Sequence, residues 1–245
     1  MNIVVIIPAR YSSIRFPGKP LVLIKDKPMI QWVYENSKKA CEHVYVATDD
    51  ERIFEAVKNF GGNVVMTSAN HKSGTDRCAE ALIYIEKELN KNIDIVVNVQ
   101  GDEPFINPQQ IKLISSAFID KEVEISTLAK KISNTEIIFD ENKVKVVFDN
   151  RNFAIYFSRS PIPFIRGKDK NSWVNEGVHF LHIGMYAFRK NTLLEITKLK
   201  ESKLEKLESL EQLRWLENKY KIKVLITEHE TVGIDTPEDL NKLNI

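Results

Sequence analysis

Short, almost wholly apolar runs alternate with helical patterns through the first half of the chain. The apolar runs are Ile3–Ile7, Val44–Ala47, Val64–Met66 and Ile93–Val99. The helical stretches between them are Met29–Ala40, Glu51–Phe60 and Arg77–Leu89. Continuous apolar strands are typical of parallel sheets that are covered on both faces. The β-α-β-α order therefore predicts a three-layer α/β sheet.

The second half of the chain follows a different pattern. Alternating apolar residues over 144–148, a turn at 149–150 and an apolar stretch over 153–157 predict an antiparallel hairpin. The segment "HFLHIGMYAFRK", residues 179–190, predicts a strand with His182, Gly184 and Tyr186 on one face.

Helix signals complete the pattern. Asn107 and Pro108 predict the N-cap and first position of a helix, and Thr236 and Pro237 do the same near the end of the chain. A charged helix is predicted over Leu204–Lys219, followed by a strand over Ile222–Ile226. Because the sequence has no internal repeat and no obvious linker, we predict a single domain over residues 1–245.

Composition limits the classes of partner. The 35 basic and 34 acidic residues leave a formal charge of +1, so the chain has no bulk attraction for nucleic acid or an anionic membrane. The two cysteines, Cys41 and Cys78, match no zinc or redox spacing. The first apolar run is too short for a signal peptide, and no stretch is long enough to span a bilayer. We therefore predict a cytoplasmic protein.

A basic loop follows the first predicted strand, in "IIPARYSSIRFPGKPL", residues 6–21. It carries Arg10, Arg15 and Lys19, with Gly18 allowing close approach of the backbone to a ligand. Ligands of open α/β sheets bind at the carboxyl edge, where this loop emerges. Fixed cations there suit a triphosphate, although a solvated surface turn is the alternative. The loop has neither Walker A spacing nor G-x-G-x-x-G, so a P-loop nucleotidase and a dinucleotide dehydrogenase are not supported.

Two further segments have polar residues at predicted strand ends. In "VVNVQGDEPFI", residues 96–106, Asp102 follows a buried strand, where it is either a Mg²⁺ ligand or an ordinary turn residue. In "SGTDR", residues 73–77, small residues allow backbone contact with a base or ribose, and Arg77 can anchor the loop. The alternative is that Ser73 or Thr75 caps the following helix.

Taken together, the motifs resemble one family. The segments "IIPARYSSIRFPGKPL", "VATDD", "SGTDR", "VVNVQGDEP", "YFSRSPIP", "HIGMYAFR", "LEQLRWLE" and "GIDTPEDL" occur in the order found in 3-deoxy-manno-octulosonate cytidylyltransferases, the CMP-Kdo synthetases of lipopolysaccharide biosynthesis. The resemblance runs from residue 3 to about residue 240. It implies that CTP and Kdo give CMP-Kdo and pyrophosphate, that Mg²⁺ is required and that the protein is a homodimer.

The resemblance also implies a fold and the roles of individual residues. The fold is a three-layer Rossmann-like nucleotidyltransferase fold with a mixed sheet and a smaller antiparallel lobe. Residues 1–148 form its nucleotide-binding half and 149–245 its sugar-binding and dimerisation half. The catalytic set is Arg10, Lys19, Asp102 and Asp235, and the two aspartates hold magnesium. The nucleotide-binding residues are Arg10, Arg15, Lys19, Ser73, Gly74 and Arg77. The sugar-binding residues are Gln100, Arg159, His182, Tyr186, Glu211 and Gln212.

Two alternatives remain at this point. The same chemistry could act on 8-amino-Kdo or on another acidic sugar such as a sialic acid, since each presents a carboxylate and an anomeric hydroxyl. A nucleotide-binding regulatory module without turnover is the alternative from another class. Hexose-1-phosphate nucleotidyltransferases are disfavoured because the opening loop lacks their glycine-rich start.

Overall fold

The computed structural model describes residues 1–12, 16–229, 233–234 and 236–242. The chain forms two compact units, each assembled from separated segments. The first unit comprises Met1–Ser115, Ala187–Thr197 and the described part of Thr231–Ile245, and the second comprises Ser116–Tyr186 and Lys198–Glu230. The predicted division into halves at residue 148 is a division by function, and it stays a prediction.

The described chain contains both helices and strands throughout. The strands are β1 (Ile3–Ala9), β2 (Leu23–Ile24), β3 (Lys27–Pro28), β4 (Val44–Thr48), β5 (Val64–Met66), β6 (Ile95–Asn98), β7 (Ile125–Lys131), β8 (Lys145–Phe148), β9 (Ala154–Ser158), β10 (Phe180–Arg189) and β11 (Ile222–Ile226). The α-helices are α1 (Met29–Lys38), α2 (Glu51–Asn59), α3 (Gly74–Leu89), α4 (Pro108–Ser116), α5 (Thr135–Phe139), α6 (Lys190–Ile196), α7 (Lys203–Glu208), α8 (Gln212–Glu217) and α9 (Pro237–Lys242).

The first unit has a parallel sheet in the order β6-β1-β4-β5. Ile6 in β1 lies opposite Tyr45 on one side and Asn98 on the other. Every residue of β4 and β6 is buried, as expected for strands that are covered on both faces. The central strand β1 adds four fully buried residues, Val4 to Ile7, to this core.

The order of the connections in this unit is the one that gives three layers when crossovers are right-handed. The connections through α1 and α2 step across the sheet in one direction, whereas the connection through α3 steps back to β6. Right-handed connections in opposite directions place their helices on opposite faces. The reversal lies between β1 and β6, which is where open α/β sheets form their ligand crevice.

The second unit contains the antiparallel lobe. Its strands lie in the order β11-β7-β10-β8-β9. Strand β8 is antiparallel to both of its neighbours, β9 and β10. Strand β11 is parallel to β7. The β8–β9 hairpin confirms the predicted pairing, and its Asp149 carboxylate accepts the N–H groups of Arg151 and Phe153, both within 2.9 Å. The α/β fold class with a mixed sheet is therefore confirmed.

The predicted helix over Leu204–Lys219 is wrong in one respect. It is two short helices, α7 and α8, interrupted at Ser209, whose φ of 52° is left-handed. Leu210 beyond the break is 7% exposed, so the bend places an apolar side chain in the core. Burial here overrides the helical propensity of the charged sequence.

The third long helix begins earlier than predicted, at Gly74 instead of Arg77. Ser73 caps it: its hydroxyl accepts the Asp76 N–H at 3.1 Å, and the Asp76 carboxylate accepts the Ser73 N–H at 3.3 Å. The helix-capping interpretation of the 73–77 segment is thus confirmed. Asn107 also caps as predicted, since its side chain accepts the Gln109 N–H at 2.9 Å.

The described chain contains no helix that is both long enough and apolar enough to cross a membrane.

The Ser73 cap gives a stability prediction. Replacing Ser73 by Ala should lower the free energy of unfolding by about 1 kcal/mol, because the Asp76 N–H at the start of α3 loses the hydroxyl that caps it. Urea denaturation of the ligand-free protein measures the change. Ser73→Asn is the matched control, since its side-chain oxygen still accepts, and equal losses in both variants would contradict the capping role.

Candidate functional site

A pocket of about 240 Å³ opens at the carboxyl ends of β1 and β6 in the first unit. It brings together seven of the predicted site residues: Arg10, Lys19, Ser73, Gly74, Arg77, Gln100 and Asp102. They come from three separate segments, which follow β1, β5 and β6 of the parallel sheet and include the first turn of α3. The pocket therefore coincides with the ligand crevice expected of this sheet order.

A main-chain hydrogen bond joins the two ends of the basic loop. The Gly18 N–H donates to the Tyr11 carbonyl at 2.9 Å, and Gly18 has a φ of 72°, which an L side chain rarely adopts. A β-carbon on Gly18 would also lie 3.0 Å from the Tyr11 ring. The Arg52 guanidinium covers the same ring, 3.2 Å from its centroid. Arg15, the third predicted cation, lies outside the described residues.

An ion pair crosses the pocket between two loops. Lys19 Nζ donates to Asp102 Oδ2 at 2.6 Å, and the Lys19 side chain is 10% exposed while that of Asp102 is 38% exposed. Gly101 allows this approach, because a β-carbon there would lie 3.0 Å from the Pro8 carbonyl oxygen. The buried lysine thus has a fixed position, and the carboxylate retains an exposed face.

Glu103, which the sequence analysis did not select, follows directly after this aspartate. It is 9% exposed, and its Oε2 has no hydrogen-bond partner among the described residues. Burial, together with the neighbouring Asp102 charge, raises the pKa of Glu103 to about 8 despite the opposing effect of Lys19. Glu103 is therefore protonated at neutral pH and adds no second negative charge beside Asp102.

Arg77 lines the pocket but is held from inside the protein. It is 4% exposed, and its guanidinium donates to the Thr67 hydroxyl at 2.6 Å and pairs with Asp49 at 3.1 Å. These bonds fix the start of α3 against the segments that follow β4 and β5. The anchoring role that the sequence suggested for Arg77 matches this geometry.

Two polar residues of the pocket, His71 and Lys72, were not among the predicted site residues. The His71 ring bonds to the carboxylate of Glu80, which lies about two turns into α3 from the cap. Glu80 also accepts the Ser68 N–H at 2.9 Å, so it ties both ends of the 68–71 segment to the helix. Their position just before the "SGTDR" segment was the signal that could have found them.

Asp102 is the described residue best suited to a magnesium ion. The described residues contain no group of three or more His, Cys, Asp or Glu side chains arranged to hold a metal. The second predicted ligand, Asp235, lies outside the described residues. Its described neighbour Ile234 donates its N–H to the Asp102 carbonyl at 3.0 Å. The carboxylate chemistry of Asp102 fits Mg²⁺, which prefers oxygen ligands.

In the second unit, His182 and Tyr186 lie on one face of β10, as predicted. Their ring centroids are 5.5 Å apart, and a β-carbon on the intervening Gly184 would meet no described atom within 4 Å. His182 Nε2 lies 3.0 Å from the Thr127 hydroxyl, which itself donates to the Met185 carbonyl at 2.9 Å. Nε2 therefore donates, which leaves Nδ1 as an acceptor.

Burial controls the protonation of both rings. It lowers the pKa of His182 to about 3, so the imidazole is neutral at neutral pH. Burial, assisted by the Glu211 charge, raises the pKa of Tyr186 well above its usual value, so the phenol keeps its proton. Trp215, which the sequence analysis did not select, packs edge-on against Tyr186 with centroids 5.0 Å apart. One neutral acceptor and one neutral donor thus lie side by side.

The remaining predicted residues of the second unit lie on or beside α7 and α8. Gln212 is 4% exposed, and its Nε2 has no hydrogen-bond partner among the described residues. Glu211 lies 3.7 Å from the Arg214 guanidinium. Arg159 donates from Nε to the Glu208 carbonyl at 2.7 Å and from Nη1 to the Glu141 carbonyl at 3.1 Å. Gln100, by contrast, lines the pocket of the first unit.

Comparison with known proteins gives consistent results. A family model described as cytidylyltransferase matches residues 4–222. The 3-deoxy-manno-octulosonate cytidylyltransferase of Parabacteroides distasonis is 54% identical over 246 residues, covering 99% of this chain and 96% of that protein. The protein of the same name from Bacteroides thetaiotaomicron is 52% identical over 243 residues, covering 98% of this chain and 96% of that protein.

Solved structures agree in fold. A CMP:2-keto-3-deoxy-manno-octonic acid synthetase complexed with CTP superimposes with a TM-score of 0.88 at 40% identity, covering 99% of this chain and 97% of the other. A cytidylyltransferase from Leptospira borgpetersenii, at 21% identity and a TM-score of 0.63, covers 99% of this chain and 85% of the other and shares the fold alone. With half of its residues shared over nearly its whole length, the chain belongs to the 3-deoxy-manno-octulosonate cytidylyltransferase family.

Proposed function

We propose that the chain transfers the cytidylyl group of CTP to 3-deoxy-manno-octulosonate (Kdo) and releases pyrophosphate. The observation that carries this function is the basic pocket in which a buried lysine and an exposed carboxylate meet at the end of the parallel sheet. The names of the relatives and the CTP complex of the similar structure supply the two substrates.

The reaction needs positioning and charge neutralisation. The anomeric hydroxyl of Kdo attacks the α-phosphorus of CTP and loses its proton, and the bond from that phosphorus to the bridging oxygen breaks. Negative charge grows on the departing pyrophosphate. Arg10 and Lys19 face the pocket and would stabilise this charge. Ser73 and Gly74 would contact the nucleotide, and Arg77 would hold their loop in place.

Magnesium is the cofactor that fits this arrangement. Asp102 and Asp235 would hold the ion; support comes from the exposed Asp102 carboxylate and from the hydrogen bond between Ile234 and Asp102. A bound Mg²⁺ supplies positive charge and orientation at the reacting phosphate. In its absence the Asp102 carboxylate is neutralised by Lys19.

The sugar acid would use the polar groups of the second unit. The predicted sugar contact of Gln100, which lines the pocket of the first unit, stays a prediction. The planar Arg159 guanidinium suits a bidentate carboxylate. His182 Nδ1 would accept from a sugar hydroxyl, and the Tyr186 phenol and the Gln212 amide would donate. Glu211 would accept from another hydroxyl. The open space over Gly184 leaves room for part of the sugar beside the His182 and Tyr186 rings.

Assembly and location are further proposals. We expect a homodimer in the cytoplasm. Both cysteines are free, as in a reducing compartment. In the second unit, Phe164 and Leu207 are 73% and 72% exposed, and these apolar side chains are available for a partner chain to cover. Light scattering after size-exclusion chromatography should give twice the 28.3 kDa chain mass. A single-chain mass at micromolar concentration would contradict the dimer.

A substrate panel tests the function directly. The protein with Mg²⁺ should release pyrophosphate from CTP and Kdo at least about a hundredfold faster than from CTP and N-acetylneuraminate, because one fixed set of donors discriminates between sugar acids by a few kcal/mol. The panel should include 8-amino-Kdo and UTP. Faster release with 8-amino-Kdo would change the substrate. Binding of CTP without release under any condition would indicate a regulatory module.

Lys19 tests the phosphate end of the pocket. Lys19→Met should lower kcat by at least about tenfold, because it removes a fixed cation from charge that grows in the transition state. Steady-state pyrophosphate release measures the effect, and circular dichroism checks the fold. Lys38→Met, on an exposed lysine of α1, is the matched control and should retain full activity. Normal turnover of Lys19→Met would remove this loop from the phosphate site.

Asp102 tests the metal site. Asp102→Asn should abolish CMP-Kdo formation while the protein still folds, because the change removes the charge of the metal-binding carboxylate but almost no volume. Its melting temperature should fall modestly, since the buried Lys19 ammonium loses its carboxylate partner. The matched control is Asp149→Asn, in which asparagine keeps the turn of the β8–β9 hairpin. Mg²⁺ titration of both variants separates the outcomes. If Asp102→Asn keeps most of its Mg²⁺-dependent activity, Asp102 is an ordinary turn residue.

A further inference from the structure

One buried charge in the second unit takes no part in the proposed chemistry. Lys145 in β8 is 0% exposed. Its ammonium donates to three main-chain carbonyls: those of Asp140 at 2.8 Å, Lys143 at 2.5 Å and Arg159 at 2.6 Å. Burial lowers the pKa of Lys145; the Asp140 and Glu208 charges oppose this shift, and the Arg159 charge adds to it. A buried ammonium is costly, so these three acceptors offset its desolvation without giving a clear gain in stability.

The three carbonyls belong to Arg159 itself or to the segment that accepts a hydrogen bond from its guanidinium. One of them is the main-chain carbonyl of Arg159. The other two, from Asp140 and Lys143, flank Glu141, whose own carbonyl accepts from Arg159 Nη1 at 3.1 Å. Lys145 therefore holds the main chain from which Arg159 projects and also the segment that orients one edge of its guanidinium.

Glu208 holds the other edge. Its carbonyl accepts from Arg159 Nε at 2.7 Å, and its carboxylate accepts the Arg159 N–H at 2.9 Å and the Ser158 hydroxyl at 2.6 Å. Two fixed carbonyls thus set the plane of the guanidinium, and they use two of its five N–H donors. A fork with its plane already set loses less conformational entropy when it binds a carboxylate.

We propose that Lys145 and Glu208 are positioning residues for the acidic sugar: they hold Arg159 so that its guanidinium presents a preset fork to the substrate carboxylate. This inference rests on the proposed function, in which Arg159 binds that carboxylate. The buried ammonium also adds positive charge beside Arg159, which favours an anionic ligand. A charge that served folding alone would affect stability without discriminating between the two substrates.

A double-mutant cycle on the full-length enzyme tests the coupling. The enzyme forms are wild type, Lys145→Met, Arg159→Gln and the double variant, each assayed with CTP, Kdo and Mg²⁺. Lys145→Met should raise KM for Kdo at least about fivefold and leave KM for CTP within about twofold. In the Arg159→Gln background the same change should add less than about twofold, because its effect acts through Arg159. Equal effects in both backgrounds, or equal rises in both KM values, would overturn the proposal.

A second variant covers the case in which Lys145→Met does not fold. Glu208→Gln alters a partly exposed side chain, keeps its volume and leaves no buried charge unpaired. It should raise KM for Kdo selectively, by a smaller factor, and this selectivity should also vanish in the Arg159→Gln background. An unselective change, or no change, would overturn the proposal even without data on Lys145. Lys190→Met is the matched control: it removes a lysine that pairs with Glu86 at 2.7 Å in the first unit, and both KM values should stay unchanged.

The cycle separates failure of the inference from failure of the proposed function. If Arg159→Gln leaves KM for Kdo unchanged, Arg159 is not the carboxylate partner, and both the sugar-site assignment and the inference fail. If Arg159→Gln raises KM for Kdo while Lys145→Met and Glu208→Gln do not, the assignment stands and only the positioning role is lost.

Discussion

The candidate active site of this protein depends on the pairing of β1 with β6. The two strands are parallel, with Ile6 opposite Asn98, so their carboxyl ends emerge together at one edge of the sheet. The loop after β1 carries Arg10 and Lys19, and the loop after β6 carries Asp102. A shift of this register by one residue would turn every buried side chain of β1 to the opposite face. The apolar core therefore holds the ion pair of the pocket in place.

The charges around the pocket are balanced in favour of an anionic ligand. Lys19 neutralises Asp102 in the ligand-free protein, and Glu103 is protonated because burial raises its pKa to about 8. Arg10 and Lys72 then remain on the pocket wall as cations. A nucleoside triphosphate brings its own negative charge, and a magnesium ion at Asp102 would balance part of it. The formal charge of +1 for the whole chain shows that this preference is local.

The sequence was most informative where local rules and tertiary packing agree. The strand over Ile222–Ile226 and the cap at Asn107 were predicted correctly because burial and capping both leave local patterns. The strand β7 was missed, because its buried Ser126 and Thr127 interrupt the apolar pattern. The helical break at Ser209 was missed as well, since a left-handed serine has no sequence signature of its own.

The sequence by itself determined the parallel α/β core, the antiparallel hairpin and the family. Apolar runs, alternating apolar residues and the order of the motifs are local features that can be read from the sequence. Only the tertiary structure decided which polar groups meet. It paired Lys19 with Asp102, turned Arg77 inward to Asp49, and surrounded Lys145 with three carbonyls. These partners are far apart in sequence or lie on main-chain atoms that every residue has. No residue pattern marks such contacts, because they form only when the packing of apolar strands and helices brings the loops together.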